Sequence, residues 1–202
     1  MVSLYELKPR FQALLRPLVA RLHRWGVTAN AVTLFALALS CALGQVLFWA
    51  PSPRLFVLLP AAMFLRMALN AVDGMLAREF GHQSPLGAYL NELTDVVSDA
   101  ALYLPFVAVA PFGWGSVGAV IFLSALSEMT GVLGLMVGAA RRYDGPMGKS
   151  DRAFVFGALG LWLGAAVRLP DWAAWVMPAV AGLVGLNIVN RVRSGLRERA
   201  KA

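Results

Sequence analysis

From Trp25 to Pro53, and again from Ala100 to Ser127, the chain carries no Asp, Glu, Lys or Arg. Each stretch is longer than the roughly 20 residues an α-helix needs to cross a hydrocarbon core. Lipid offers the backbone no hydrogen-bond partners, so segments of this kind must satisfy their own N–H and C=O groups as helices. The sequence therefore predicts an all-α integral membrane protein. Composition agrees, with 59% hydrophobic residues, 14% charged residues and a mean hydropathy of +0.66, against about 25% charged in an ordinary soluble domain. The first long apolar run begins near Asn30 and is too long for the apolar core of a signal peptide, so no cleaved leader is expected.

Hydropathy and turn residues divide the chain into six expected transmembrane helices, at about 29–50, 54–77, 86–110, 116–140, 153–168 and 172–190. Residues 1–28 form an expected amphipathic, basic helix at the interface, with Ser3 and Glu6 at capping-box spacing and with Pro9 and Pro17 placed to kink or divide it. The same charges would also serve simply to orient the chain. Residues 29–190 make up the six-helix membrane domain, and residues 191–202 a basic tail. Counting Lys and Arg puts 15 of 18 in the N-terminal segment, the loops after the second and fourth spans, and the tail. The positive-inside rule assigns that side, both termini included, to the cytoplasm of a bacterial-type inner membrane. The net charge of +7 flanks the spans and covers no soluble domain. It therefore points to anionic lipid or a phosphorylated substrate and away from nucleic acid. Cys41 is the single cysteine, so no intrachain disulfide forms.

Polar residues interrupt this apolar pattern where the second and third spans meet the cytoplasmic side. They read Asn70-x2-Asp73-Gly74-x2-Ala77-Arg78-x8-Gly87-x3-Asn91-x3-Asp95. Residues 70, 73, 74 and 77 share one helical face, and 87, 91, 95 and 99 share a face of the next helix. Two such faces can enclose one site.

This stretch resembles the CDP-alcohol phosphotransferase motif D-x2-D-G-x2-A-R-x8-G-x3-D-x3-D. Every interval is kept, and Asp73, Gly74, Ala77, Arg78, Gly87 and Asp95 match in type, while Asn70 and Asn91 stand where the family has aspartates. The resemblance implies transfer of a phosphatidyl group from CDP-diacylglycerol to a small hydroxylated acceptor, with release of CMP. The four acidic positions imply a site for Mg²⁺ or Mn²⁺, which stabilises the leaving diphosphate and orients the attacking hydroxyl. By that resemblance Asp73 is a metal ligand and Asp95 both ligand and base. Asn70, Asn91 and Asp99 are secondary ligands. Gly74 and Ala77 let the nucleotide approach the helix, Arg78 faces phosphate, and Gly87 lets the second and third spans approach. Two carboxylates remain where four are usual, which implies weaker metal binding, or one tightly held ion in place of two. A register slipped by one turn, with Asp95 and Asp99 in the last two roles, conflicts with the position of Gly87.

Arg141, Arg142, Lys149 and Arg152 flank the same side, as phosphate-binding groups for an acceptor such as glycerol phosphate or an inositol phosphate or, equally, as topology signals. Arg66 and Glu128 lie at membrane depth, where charges are paired or functional. One reading pairs them with each other, and another makes Arg66 a fixed charge that offsets a second metal. His23 and His82 have no histidine partner at metal spacing. The resemblance also implies a homodimer. The contrasting reading of the asparagines is a non-catalytic relative that binds CDP-lipid or anionic lipid.

Overall fold

A computed structural model describes residues 4–50 and 52–200, with side chains from Arg10 onward. Seven α-helices, joined by short loops and three 3₁₀ segments, make up the described residues, and no strand occurs among them. Helix α1 spans Leu4–Arg24, α2 Ala29–Trp49, α3 Leu58–Glu79, α4 Pro85–Tyr103, α5 Trp114–Met136, α6 Lys149–Ala166 and α7 Val176–Arg199. Four of them, α2, α3, α5 and α7, are long and apolar enough to cross a membrane when the 3₁₀ turns leading into α3 and α7 are included. The other two expected spans are shorter and more polar. Helix α4 carries Glu92, Asp95 and Asp99 in 19 residues, and α6 begins Lys149-Ser150-Asp151-Arg152.

Several boundaries differ from the sequence expectation. Helix α1 runs unbroken through Pro9 and Pro17, so the prolines do not divide it; its Ser3–Glu6 capping box lies outside the described residues. The third span ends as α-helix at Tyr103, because Pro105 has no N–H to continue the ladder and the chain tightens to a 3₁₀ turn over Leu104–Ala108. Helix α5 stops at Met136 and α6 begins at Lys149, so the loop between them, residues 137–148, has the expected length but lies four residues earlier than expected. Residues 191–199 are not a separate tail but the last turns of α7, with Arg191 only 2% exposed.

The core lies between α2, α3, α4, α5, α6 and α7. Phe56, Leu59, Leu102, Phe106, Phe156 and Met177 are completely buried there, and Tyr103 stacks on Phe156 with centroids 3.7 Å apart. A second cluster, built from Val19, Val32, Val72, Met75 and Leu76, docks one face of α1 against α2 and α3. Arg16 of α1 donates to both carboxylate oxygens of Glu79 at 3.1 Å. His23 and His82, distant in sequence, meet at this junction with Nδ1 and Nε2 3.2 Å apart.

Helices α2 and α4 cross at Gly44, where a Cβ would lie 2.2 Å from the carbonyl oxygen of Ala101. This backbone contact sets where α4, and so Asp95, stands relative to α2. Gly44→Leu is expected to destabilise the protein by about 1–3 kcal/mol or more, since overpacking must move a helix. A lowered thermal unfolding midpoint in detergent would show it; an unchanged midpoint would mean that α2 and α4 can separate freely.

Candidate active site

The motif's two halves lie on α3 and α4, and side chains, rather than close backbone packing, join them. Asn70 Nδ2 donates to Asp95 Oδ1 at 3.0 Å. Arg66, one turn before Asn70, donates to the same oxygen at 3.3 Å and to the Asp95 carbonyl at 3.0 Å. Lys149, the first residue of α6, places its ammonium on Asp95 Oδ2. Asp73 is 3% exposed and accepts a 2.7 Å hydrogen bond from Thr33 of α2 on Oδ2. Its Oδ1 is buried and has no hydrogen-bond partner among the described residues. Buried polar atoms are rarely left this way in folded proteins.

The remaining motif positions have more varied neighbours. A Cβ at Gly74 would lie 2.8 Å from the Arg78 guanidinium, so the missing side chain leaves room for Arg78 to fold back along its own helix. Ala77 packs with the α1 contact cluster. At Gly87 a Cβ would meet Asn30 Oδ1 at 2.9 Å and Ser84 Oγ at 3.0 Å. This corrects one expectation: Gly87 admits α2, not the second span α3, because α4 packs mainly along α2. Ser84 also accepts from the Gly87 N–H at 2.9 Å and caps α4. Asn91 is exposed on α4.

Behind Asp95 runs a buried ion-pair network that the sequence reading assigned differently. Arg66 donates to Asp99 Oδ1 at 2.5 Å, and Arg152 donates to Asp99 Oδ2 at 3.1 Å. Both oxygens of Asp99 are thus held by guanidinium groups, which removes them from metal ligation. Arg152 is 0% exposed and also donates to Glu128 Oε1 at 3.0 Å, so it lies inside the protein and cannot present itself to an acceptor. Arg66 and Glu128 do not pair with each other; Asp99 and Arg152 stand between them. Arg191 completes the network with a 2.5 Å hydrogen bond to the Ser127 carbonyl and a contact to Glu128 at 3.5 Å.

Nearer the surface, Arg141 donates to Glu92 at 2.6 Å, and its guanidinium lies 4.4 Å from the centre of the Tyr143 ring. Arg142 pairs with Asp144 at 2.7 Å and with Glu198 of α7. Its hydrogen bonds hold the Asp144 carboxyl below the usual aspartate range. Thr33, Asp99 as a hub, and Arg191 were the parts sequence reasoning missed. A hydroxyl on a span and a basic residue one turn beyond another gave only weak signals.

Comparison with known proteins decides the family. The CDP-alcohol phosphatidyltransferase model matches residues 26–186. The chain belongs to this family. It is thereby an integral membrane CDP-alcohol phosphotransferase of phospholipid synthesis. The chain is 47% identical over 198 residues to the inner membrane protein YnbA of Escherichia coli, covering 96% of this chain and 97% of that one. It is 32% identical over 181 residues to a phosphatidylinositol phosphate synthase of Mycobacteroides abscessus, with 86% and 80% covered. An archaetidylinositol phosphate synthase of Aeropyrum pernix is 30% identical over 197 residues, with 93% of each covered. The fold matches the crystal structure of Mycobacterium tuberculosis phosphatidylinositol phosphate synthase in complex with manganese and citrate. That match has a TM-score of 0.69 at 22% identity and covers 89% of this chain and 88% of the other.

Proposed function

We propose that this phosphotransferase moves the phosphatidyl group of CDP-diacylglycerol to the hydroxyl of a small phosphorylated alcohol. The observation that carries the reading is the contact of Asn70 on α3 with Asp95 on α4, with one hard carboxylate oxygen of Asp73, three residues along α3 from Asn70, buried and unpartnered. The donor set is all oxygen, which suits Mg²⁺ or Mn²⁺. Asp73 Oδ1 is the leading ligand, with the amide oxygens of Asn70 and Asn91 beside it, since both oxygens of Asp95 already face Asn70, Arg66 and Lys149. The nitrogen of Asn70 already faces Asp95, so the carbonyl oxygen is its atom left for a cation. Bound there, the ion would neutralise the diphosphate as CMP leaves.

The chain's own groups supply the rest. Asp95 takes the proton from the acceptor hydroxyl, whose oxygen bonds to the phosphorus that carries diacylglycerol. The bond from that phosphorus to the CMP oxygen breaks, and CMP departs with the electron pair. Thr33 fixes the Asp73 carboxylate in one orientation, and Gly74 and Ala77 keep the helix surface low beside the nucleotide. Arg78 binds donor phosphate. Arg141 and Arg142 form the cationic mouth toward the acceptor's phosphate, and the inositol phosphate synthases among the relatives favour inositol phosphate over glycerol phosphate. Helices α2–α7 make six spans with both termini and the site on the cytoplasmic side, α1 lies in the interface, and the chain pairs as a homodimer.

Incubating the purified protein with CDP-diacylglycerol and matched acceptors with and without phosphate tests this reading. A lipid product, identified by mass, is expected only from phosphorylated acceptors. Equal product from free inositol or glycerol would remove the acceptor assignment.

A further inference from the structure

The carboxylates of the site are largely paired before any ligand arrives. Asp95 Oδ1 faces Asn70 and Arg66, and Asp95 Oδ2 faces Lys149. Both oxygens of Asp99 face arginines. Asn91, one turn before Asp95, brings no charge. Among the described residues no three of His, Cys, Asp and Glu come together to hold an ion, and Asp73 Oδ1 is the oxygen left without a donor.

In the connected network Glu92, Asp95, Asp99 and Glu128 meet Arg66, Arg141, Lys149, Arg152 and Arg191. Asp73 raises the acids to equal the cations. One divalent ion would then give this set of residues two positive charges, the number carried with opposite sign by the diphosphate of a CDP-linked lipid, and Arg78 beside Gly74 adds a third. A second divalent ion would leave two more charges uncompensated at low dielectric, where they are most costly.

We propose that the site holds one divalent cation, at Asp73, and that the Lys149 ammonium on Asp95 stands in the place of a second, with one positive charge where that ion would bring two. Lys149 then grips the diphosphate from the side opposite the ion. An ammonium is a compact point charge on a flexible stem, and Lys149 keeps 30% side-chain exposure at the mouth of the site. This inference rests on the transferase reading for its ligand, though not for its test.

The test counts Mn²⁺ bound per chain by equilibrium dialysis of the full chain in lipid nanodiscs, with CDP as the probe nucleotide. The wild type is expected to hold one Mn²⁺, and so is Asn70→Asp with Asn91→Asp, more tightly. Adding Lys149→Met to that pair is expected to raise the count to two. Lys149→Met alone should weaken CDP binding at saturating Mn²⁺ by about tenfold or more, the effect of losing a charge-assisted contact, while Lys149→Arg should keep most of it. Two ions in the wild type, two in the double aspartate variant with Lys149 present, no ion at all, or one in the triple variant would each overturn the proposal. So would unchanged CDP affinity in Lys149→Met. None of these readings involves turnover, so a protein that counts one ion yet releases no CMP would defeat the transferase reading alone.

Discussion

Asp95→Asn is expected to slow metal-dependent CMP release by roughly 10²- to 10⁴-fold, the range that a positioned proton acceptor contributes. The substitution is nearly isosteric and keeps an oxygen for Arg66 and Asn70, whose hydrogen bonds to Asp95 span 3.0–3.3 Å. It removes the charge that faces Lys149 and the group that receives the hydroxyl proton. Folding should survive, because Asp99, one turn on, continues to anchor Arg66. Single-turnover release of CMP from CDP-diacylglycerol, alongside thermal unfolding in detergent, separates the two effects. A fall of less than tenfold in a folded variant would exclude Asp95 as the base.

The second large effect concerns stability. Arg152 is completely buried and holds one oxygen each of Asp99 and Glu128. Arg152→Leu leaves two carboxylates short of a partner inside the helix bundle, and breaking a buried pair in this way costs about 3–5 kcal/mol. A large loss of folded yield and a markedly lower unfolding midpoint are expected. Adding Asp99→Asn and Glu128→Gln should recover much of that loss, because the stranded charges are removed together. If Arg152→Leu alone unfolds at the wild-type temperature, the network does not hold α4, α5 and α6 together.

Much of this architecture was legible in the sequence because its signals were local. Charge-free runs marked α2 and α5, and the motif's fixed intervals put Asn70 and Asp73 on one face and Asn91 and Asp95 on another. Proline and glycine placed the turns to within a few residues. What sequence alone did not show was partner choice. Asp99 stands on the same face as Asp95, so helical periodicity made it a metal ligand; only the docking of α6 brings Arg152 against it. Arg191 followed the last apolar run and looked like a tail residue, yet α7 continues straight and carries it beside Glu128. Lys149 belonged equally to a topology signal and to an acceptor site until α6 placed it on Asp95. Thr33 was hidden in a mostly apolar span, because a hydroxyl in a helix normally bonds to its own backbone, as Ser40 does to the Ala36 carbonyl; Thr33 bonds to Asp73 as well as to the Ala29 carbonyl.

The most direct test of the account is CMP release by the wild-type protein in lipid, with CDP-diacylglycerol and inositol phosphate, in Mg²⁺ or Mn²⁺ and then with EDTA. Release that requires the acceptor, stops with EDTA and returns with added metal is the result predicted from Asp73 and Asp95. Binding of CDP-diacylglycerol without CMP release, under any metal and with any phosphorylated acceptor, would contradict it and leave Asn70 and Asn91 as marks of a lipid-binding protein.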